Sequence, residues 1–581
     1  MTQAQRYHGM GIELMALGKL PEAAECFQQA VDNDPRCAGA MAALGRALKA
    51  LTRPEQAVPV LEKALALSPD DPELYCDLGD ALQTLGQIER AIDAYASALQ
   101  RDPALPRAWY AAGCAESSRG EYVSALVCFH KALETNSELP EALHNLGQVL
   151  FKLGQTGEAV DLFRRAASIG NPDLPMAALA TIIPGSPADG NQSILDARLS
   201  WSRRYLPPPR PAARFSGRVK ASDGRMRIGY VSSFFENRNW MKPVWALINR
   251  HDERRFEIHL FSDAPESAVK HGYRGRGRFH DISGLTNEAA ADEIEKCAID
   301  LLVDLNGYSA MRRLPLFALR PAPVIVGWFN MFATTGMPCY DYLIGDVEVI
   351  PPEEEQFYCE KILRVPGSYL TFEVTYPVPE VVAPPCSFHR PIAFGCLAPL
   401  YKINSEVITA WSRILEQAGD SALILRNAQL ESPGVKEFVR RLFEDHGIAR
   451  TRIRLEGPAE HYQFLKTYDQ IDIALDTFPY NGGTTTAEAI WQGVPVLAFR
   501  GDRWVSRTSA SILHAGGLSE FIAQGVEDYV SAAVKLALAP ETPKKLADLR
   551  AGMRARLQAS PVCDTSGFAR NMERLYEQML F

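Results

Sequence analysis

A stretch rich in glycine and threonine, DTFPYNGGTTTAEAIWQG, lies between an apolar run and a predicted helix in the last third of the chain. The helix is expected to begin at Thr484–Thr486, and the first amides of a helix have no intrahelical partners. These amides, the helix dipole and the hydroxyl groups can hold a diphosphate, and Gly482 and Gly483 let a ligand approach the backbone. The pattern GxxxxGK[ST] is absent, which excludes an ordinary P-loop NTPase. Two interpretations stay open: a diphosphate site, or a threonine-capped helix without a ligand.

Short apolar strands alternate with predicted helices over the last two thirds of the chain, which indicates parallel sheets covered by helices. One series begins at MRIGYVSSFF and a second at PIAFGCLAP. Two such series predict two lobes with a cleft between them. The strand IDIALDT ends at Thr477, directly before the glycine-threonine stretch, and ligands of open α/β sheets bind beyond the carboxyl ends of strands. We therefore expect the candidate phosphate site in the cleft.

The first third of the chain repeats with a period of 34 residues. The period is set by Gly11, Gly45, Gly79, Gly113 and Gly147. Each of these glycines is followed after twelve positions by alanine and after sixteen by Phe, Leu or Tyr. This is the tetratricopeptide pattern, which predicts a superhelix of helix pairs with a concave surface. Such arrays generally bind protein segments, so a protein partner is expected.

Composition and charge narrow the class of protein further. The net charge of −9 argues against a nucleic-acid binder that works through bulk charge. No apolar run reaches the roughly 18 residues of a membrane helix, and the start carries no secretion signal. The eleven cysteines form no CxxC pair, which makes a zinc or disulfide framework improbable. We expect a cytoplasmic chain with reduced thiols, no membrane segment and no nucleic-acid partner.

Several motifs together resemble one known family. The motifs are the repeats, DLNGYSAMRRLPLFALRPAPVIVGWFNMFATTG, LYKIN, and LDTFPYNGGTTTAEAIWQGVPVL followed by GDRWVSRTSAS. In this combination and order they resemble the O-GlcNAc transferase and SPINDLY-like family, over nearly the whole chain. The resemblance implies a GT-B glycosyltransferase that uses a nucleotide-sugar, inverts the sugar linkage, and needs neither a catalytic metal nor a bound cofactor.

The resemblance also predicts the domain boundaries. We expect tetratricopeptide repeats over residues 1–172 and a proline-rich linker over 173–225. The GT-B N-terminal lobe is expected over 226–388, and the C-terminal lobe with the nucleotide-sugar site over 389–581. The predicted fold class is thus α plus α/β.

The predicted site residues are carried over position by position. Lys402 of LYKIN matches the family lysine that steadies the leaving diphosphate. Asp304 of DLNGY matches an aspartate proposed near the acceptor hydroxyl, although such aspartates often only cap turns. Glu488 stands where the family has an aspartate that holds the nucleotide ribose, and Arg507 matches a basic residue of structural or phosphate-facing role. The remaining predicted donor-binding residues are Tyr401, Asp476, Asn481, Gly482, Gly483, Thr484, Thr485 and Thr486.

The chain departs from the family beside the first strand, where SSFFENRNWMKPVW replaces a histidine-containing stretch. Arg238 stands where the histidine would be, and Lys242 where a second histidine often occurs. Because an arginine cannot accept a proton near neutral pH, a mechanism with that histidine as general base is excluded here. The two cations could instead bind an acidic group on the donor or the acceptor, or this loop could have moved so that both face water.

The asparagine ladder of the concave repeat surface in O-GlcNAc transferase is nearly absent. Its positions here are Gly9, Ala43, Asp77, Ala111 and Asn145. Acceptor recognition is therefore expected to differ. The predicted function is a protein glycosyltransferase whose repeats dock the acceptor protein. One alternative is a flagellin glycosyltransferase with an acidic nonulosonic acid donor, and one of another class is a catalytically inactive repeat scaffold.

Overall fold

The computed structural model of the protein describes residues 1–211, 215, 224–237, 239–269 and 272–580. Contacts divide the described chain into two compact units. The first comprises Met1–Leu153 and Asp161–Pro172, and the second Gly154–Val160 and Asp173–Phe581. None of the described helices combines the length and the apolar character needed to cross a bilayer.

The repeats form consecutive helix pairs in which glycine faces a large side chain. Their helices are α1 (Gln3–Ala16), α2 (Leu20–Asn33), α3 (Ala38–Ala50), α4 (Pro54–Leu67), α5 (Pro72–Thr84), α6 (Ile88–Arg101), α7 (Pro106–Ser118), α8 (Tyr122–Thr135), α9 (Pro140–Lys152) and α10 (Thr156–Ile169). A Cβ on Gly79 would lie within 2.8 Å of the Tyr95 ring, and one on Gly113 within 3.0 Å of the Phe129 ring. The glycine that recurs every 34 residues therefore lets the two helices of a pair come into contact. The predicted repeat architecture is confirmed.

The turn inside each helix pair contains one residue with a left-handed backbone conformation, and this position recurs with the period of the repeats. Gly18, Gly86, Gly120 and Gly154 have φ between 72° and 87°. The second repeat places Thr52 at the equivalent position, with φ 56°. A β-branched residue is strained in this conformation, so the second repeat carries a cost that the other turns avoid.

The predicted linker begins with two helices, α11 (Asp173–Ile182) and α12 (Asn191–Tyr205). The Trp201 ring lies edge-on to Tyr308 at 5.6 Å between centroids. The buried Arg198 guanidinium stacks on the same tyrosine and donates to the Thr334 carbonyl at 2.6 Å. Residues 173–205 thus form part of the second unit and support its first lobe.

The first lobe is a seven-stranded parallel sheet in the order β3-β2-β1-β4-β5-β6-β7. Its strands are β1 (Met226–Ser232), β2 (Phe256–Ser262), β3 (Arg278–Asp281), β4 (Leu301–Asp304), β5 (Val324–Gly327), β6 (Tyr342–Gly345) and β7 (Lys361–Arg364). Its helices are α13 (Lys242–Ile248), α14 (Glu266–Val269), α15 (Asn287–Lys296) and α16 (Leu314–Ala318). Ile228 of β1 pairs with Ile258 and Leu301, and all three side chains are buried, as expected for a central parallel strand.

The second lobe is a six-stranded parallel sheet in the order β10-β9-β8-β11-β12-β13. Its strands are β8 (Ala393–Cys396), β9 (Ala422–Arg426), β10 (Ile453–Glu456), β11 (Ile473–Leu475), β12 (Val496–Phe499) and β13 (Ile522–Ala523). Its helices are α17 (Ser405–Gln417), α18 (Pro433–Glu444), α19 (His461–Lys466), α20 (Thr484–Trp491), α21 (Thr508–Ala515) and α22 (Val526–Leu538). The predicted two-lobed α/β architecture is confirmed.

Two helices complete the second unit, α23 (Thr542–Gln558) and α24 (Thr565–Leu580). α24 packs on the first lobe: the hydroxyl groups of Tyr576 and Tyr230 are hydrogen-bonded at 3.1 Å, and His251 contacts Glu573 at 3.1 Å. These four side chains are buried. The chain therefore returns at its far end to the lobe that it builds first.

Candidate functional site

A cavity of about 370 Å³ lies between the two lobes of the second unit. From the part of the chain before β8 it is lined by Trp240, Ser309, Phe329, Asn330, Phe332, Tyr369 and Leu370. From β8 onward it is lined by Pro399, Tyr401, Lys402, Tyr480, Asn481, Gly482, Gly483, Thr484, Thr485 and Thr508. The first group forms a mostly aromatic wall, and the second group adds two tyrosines to backbone amides, hydroxyl groups and one ammonium group.

The glycine-threonine loop follows β11 and is held by Asp476. One carboxylate oxygen of Asp476 accepts from the amides of Thr477 at 2.9 Å and Gly482 at 2.8 Å. A Cβ on Gly482 would collide with the hydroxyl groups of Thr485 and Thr486, so this position needs glycine. Asp476 itself does not line the cavity. Its part is to fix the loop that opens α20.

Only two of the three threonines line the cavity. Thr484 and Thr485 line it, whereas the Thr486 hydroxyl is buried against the Ser509 hydroxyl at 2.8 Å. The cavity thus borders the N-terminus of α20, where helix amides lack intrahelical partners. This arrangement can hold an anionic group.

Lys402 lies on a 3₁₀ turn just after β8 and reaches the same loop. Its ammonium donates to the Asn481 carbonyl at 2.7 Å and lies 4.0 Å from the centre of the Tyr480 ring. Burial lowers the pKa of Lys402 to about 8, and the Asp476 carboxylate opposes that shift. Among the described residues that line the cavity, Lys402 is the one with a cationic side chain.

The loop after β5 carries two aromatic residues in a strained backbone conformation. Phe329 has φ 74° and Phe332 has φ 55°, and both line the cavity. Between them Asn330 donates its side-chain amide to the Asn306 carbonyl at 3.0 Å, which fixes the carboxamide. Strain at bulky residues costs about 1–3 kcal/mol each and typically marks a functional loop.

Asp304 ends β4 and is fully buried, and it does not line the cavity. Its carboxylate accepts from the amides of Asn306 at 2.8 Å and Gly307 at 3.1 Å, and from the Tyr340 hydroxyl at 2.8 Å. Burial raises the pKa of Asp304 to about 6, against the effect of these bonds. The structure therefore places Asp304 as the cap of the turn that carries Asn306.

Glu488 and Lys242 form a buried ion pair between α20 and α13. The Lys242 ammonium also lies 3.2 Å from Nε2 of His461 and 4.0 Å from the centre of the Tyr376 ring. Burial raises the pKa of Glu488 and lowers that of Lys242, and each charge opposes the shift of the other. Burial and the neighbouring ammonium lower the pKa of His461 to about 4. Neither Glu488 nor Lys242 lines the cavity.

Of the two arginines predicted at the site, the structure describes one. Arg507 is buried, with Nη2 at 2.5 Å from a Glu354 carboxylate oxygen and Nε donating to the Gly501 carbonyl at 2.8 Å. It therefore ties the loop after β12 to the first lobe and does not line the cavity. Arg238 lies outside the described residues.

The sequence predicted seven of the lining residues, all of them after β8, and none of the aromatic wall. Trp240, Phe329 and Phe332 were not expected at the site, although WFNMF lies within a motif that carries the family resemblance. Periodicity cannot distinguish these residues from core aromatics, because the wall depends on two positive φ angles that the sequence does not display. A bulky aromatic run directly after a strand was the one available signal.

Two parallel α/β lobes with a cavity between them, bordered by the N-terminus of a helix, are the architecture of GT-B glycosyltransferases. The chain belongs to glycosyl transferase family 41, whose model matches residues 209–378 and 388–572. Tetratricopeptide-repeat models match residues 8–72, 48–113 and 140–171.

Known relatives agree with this assignment. A tomato (Solanum lycopersicum) protein described as a probable UDP-N-acetylglucosamine–peptide N-acetylglucosaminyltransferase SPINDLY is 29% identical over 396 residues, which is 67% of this chain and 42% of that protein. The Arabidopsis thaliana protein SEC, with the same probable activity, is 29% identical over 391 residues, 65% of this chain and 39% of that protein. The matches therefore span less than half the length of these relatives.

A solved structure is similar over most of the chain. A lysine-to-methionine mutant of Thermobaculum terrenum O-GlcNAc transferase superposes with a TM-score of 0.74 at 28% identity, covering 88% of this chain and 97% of that one. The similarity supports the combination of repeats and a two-lobed domain.

Proposed function

We propose that the protein transfers a sugar from a nucleotide-sugar donor to a protein acceptor that the repeats dock. The observation that carries this proposal is the convergence of Lys402 and the N-terminus of α20 on one cavity. An ammonium and free helix amides stabilise negative charge that develops on a departing phosphate oxygen. The names and family of the relatives support a sugar as the transferred group.

The charges at the cavity support a single displacement with inversion and without a catalytic metal. None of the described lining residues carries a carboxylate, so the carboxylate nucleophile that most retaining glycosidases use in a double displacement is missing from this lining. Lys402 and the helix amides supply the positive field that a metal ion would otherwise give to the leaving group. Thr484 and Thr485 add hydroxyl donors beside it.

The aromatic wall supports the binding of flat or partly apolar surfaces. Trp240, Phe329, Phe332 and Tyr369 line the same cavity as the loop that we assign to the phosphate groups. Ring faces can pack against the apolar face of a sugar or against a nucleobase. Asn330 and Asn481 each donate their side-chain amide to a backbone carbonyl and leave a buried side-chain oxygen without a partner. Both oxygens are acceptors that a hydroxyl group of the substrate could satisfy after a small movement.

An acidic nonulosonic acid as the donor sugar is the second candidate, and flagellin is the acceptor that goes with it. The observation in its favour is the pair of cations, Arg238 and Lys242, where the family has histidines. Lys242 is buried in its ion pair with Glu488 and does not line the cavity, so a donor carboxylate would have to displace Glu488 to reach it. Donor binding would then loosen the contact between α13 and α20.

A donor panel tests the function and distinguishes the candidates. Binding of UDP-, GDP- and CMP-activated sugars is measured by calorimetry, with Lys466→Ala as an exposed-lysine control for Lys402→Ala. Stabilisation by a CMP-nonulosonic acid alone would favour the acidic donor, and stabilisation by UDP-N-acetylglucosamine the neutral one. No binding of any donor would favour the inactive repeat scaffold. Intact mass of co-expressed acceptor, with flagellin as one choice, identifies the transferred group.

The docking role is tested by removing residues 1–153, which leaves every residue of the second unit in place. We expect donor affinity to persist, because the cavity is built from later residues. Modification of the acceptor at low concentration should fall by a factor of about 10² or more, since tethering raises effective concentration. Equal rates with and without the repeats would contradict docking.

We place the reaction in the cytoplasm, in keeping with eleven free cysteines.

A further inference from the structure

A compact group of potential metal ligands lies at the edge of the first sheet. His259 is on β2, His280 is on the edge strand β3, and Cys297 directly follows α15. One ligand atom from each of the three residues lies within 4.8 Å of the others. None of these residues lines the cavity between the lobes, so the family reaction leaves the group unexplained.

The spacing suits a small tetrahedral cation. His259 Nδ1 and His280 Nε2 are 3.0 Å apart, and Cys297 Sγ is 3.7 Å from the same His280 nitrogen and 3.8 Å from His280 Nδ1. Around a tetrahedral Zn²⁺, with bonds of about 2.0–2.3 Å, ligand atoms stand about 3.3–3.6 Å apart. Since the three ligand atoms lie within 4.8 Å of one another, side-chain shifts of up to about 1 Å would bring the two imidazoles and the sulfur to coordination distance.

The outer nitrogen of each histidine faces a carboxylate. His259 Nε2 is 3.6 Å from Glu257 and has no hydrogen-bond partner, and His280 Nδ1 is 3.7 Å from Glu293. Histidines that bind metals nearly always present their second nitrogen to a carboxylate, a carbonyl or water, which orients the ring and strengthens the ligand. A simple hydrogen bond between two histidines does not require a carboxylate behind each ring.

His259 is buried, and His280 and Cys297 are partly buried. Burial, together with the facing His280, lowers the pKa of His259 to about 4, and burial lowers the pKa of His280 as well. The nearby Arg278 is engaged by Glu257 at 2.9 Å, which offsets its charge. Burial raises the pKa of the Cys297 thiol, so a metal would have to displace its proton on binding.

We propose that His259, His280 and Cys297 form a binding site for a divalent d-block cation of the zinc class. Two imidazoles and a thiolate are a donor set that Zn²⁺ favours, and a water molecule can supply the fourth ligand because His280 and Cys297 are partly exposed. The site would join the edge strand β3 and the end of α15 to β2. It is separate from the glycosyl-transfer chemistry, and neither proposal depends on the other.

The test uses the whole 581-residue chain without an affinity tag, reduced and stripped with a chelator. Zn²⁺ binding is measured by competition with a chromophoric chelator, and Co²⁺ is added in parallel to detect a thiolate-to-cobalt absorption band. The variants are Cys297→Ser and His280→Gln. Their controls are Cys359→Ser, an exposed cysteine elsewhere in the first lobe, and His130→Gln, an exposed histidine of the repeats.

We expect one Zn²⁺ per chain in the unmodified protein and in both controls. Affinity should fall at least about tenfold in each of the two variants, the cobalt–thiolate band should be missing in Cys297→Ser, and Zn²⁺ should raise the melting temperature only where the site is intact. The proposal is overturned if the unmodified protein binds no Zn²⁺, or if both variants bind it as tightly as the controls. Melting of the metal-free proteins checks folding, and if His280→Gln does not fold, Cys297→Ser decides alone.

Discussion

The repeats and the cavity loops both contain residues with left-handed backbone conformation, but they differ in what occupies them. In the repeats the position is a turn, filled by glycine at Gly18, Gly86, Gly120 and Gly154, with Thr52 as the exception. Beside the cavity the same conformation is imposed on Phe329 and Phe332. A glycine would relieve that strain but would remove a wall of the cavity. Strain at the cavity is therefore tied to what the side chain faces, whereas strain at Thr52 serves no contact of this kind.

The largest expected effect is a loss of turnover at the cavity without a loss of stability. Lys402→Ala removes the cation beside the loop at α20, so turnover should fall by about 10²–10³ while the fold stays intact. Turnover is measured by acceptor mass at saturating donor, with Lys466→Ala as control. Full activity of Lys402→Ala would refute its role at the leaving group.

The next largest effect is expected within the glycine-threonine loop, where two neighbouring threonines should have different roles. Thr485 lines the cavity, while the Thr486 hydroxyl is buried against Ser509. Thr485→Val should weaken donor binding by about 1.5–3 kcal/mol with little change in melting temperature. Thr486→Val should lower the melting temperature more than it lowers the affinity for the donor. Calorimetry and thermal unfolding of both variants check this division, and an equal loss of affinity in both would contradict it.

In the repeats, the expected effect is on stability alone. Gly79→Ala places a methyl group against the Tyr95 ring and should destabilise the repeat unit by about 1–3 kcal/mol. Gly39→Ala is the matched control, because a Cβ there meets no atom within 4 Å. Denaturant unfolding measures both. If Gly79→Ala were as stable as Gly39→Ala, the close helix contact would not depend on the glycine.

A pH dependence should appear at the cavity and not in the repeats. Because burial lowers the pKa of Lys402 to about 8, its ammonium is present below that pH and is lost as the pH rises through it. We expect kcat/KM to fall above about pH 8, approaching about tenfold per pH unit. Bound diphosphate should move the decline in kcat to higher pH. Lys402→Arg should abolish the decline even if its rate is low, and an unchanged decline would assign it to another group.

The smallest expected effect is a gain of stability when the strained residue of the repeat turns is replaced by glycine. Thr52→Gly should raise the stability of the repeat unit by up to about 1 kcal/mol, since relief of strain exceeds the added entropy of the unfolded chain. The reverse change, Gly86→Thr, should lower it by a similar amount. Chemical unfolding of the pair measures both, and no change in either would show that the turn tolerates threonine as well as glycine.

Much of the architecture could be predicted from the sequence, for a physical reason. Each repeat sees the same neighbours, so one 34-residue pattern specifies the packing of Gly79 on Tyr95 and of its equivalents. The two strand-helix series likewise predict the two lobes. α11 and α12 were not expected, because the repeat pattern lapses after residue 172 and the prolines further on suggested a linker.

The site was predictable only where one motif carries several of its residues. The loop from Asn481 to Thr485 is continuous in sequence, and it lies at the cavity as expected. The Lys242–Glu488 pair joins residues 246 positions apart, and no local pattern reports such a contact. The same holds for His259, His280 and Cys297, which the absence of CxxC spacing seemed to dismiss as metal ligands. The functional roles of the predicted site residues remain predictions.

The packing of α24 on the first lobe has a consequence for synthesis on the ribosome. Tyr230 of β1 is hydrogen-bonded to Tyr576, which is translated 346 residues later. At about 5–20 residues per second, this partner emerges roughly 20–70 s after the strand does. During that interval α24 cannot cover the buried face of β1, so the nascent first lobe leaves exposed an apolar surface that is buried in the finished protein.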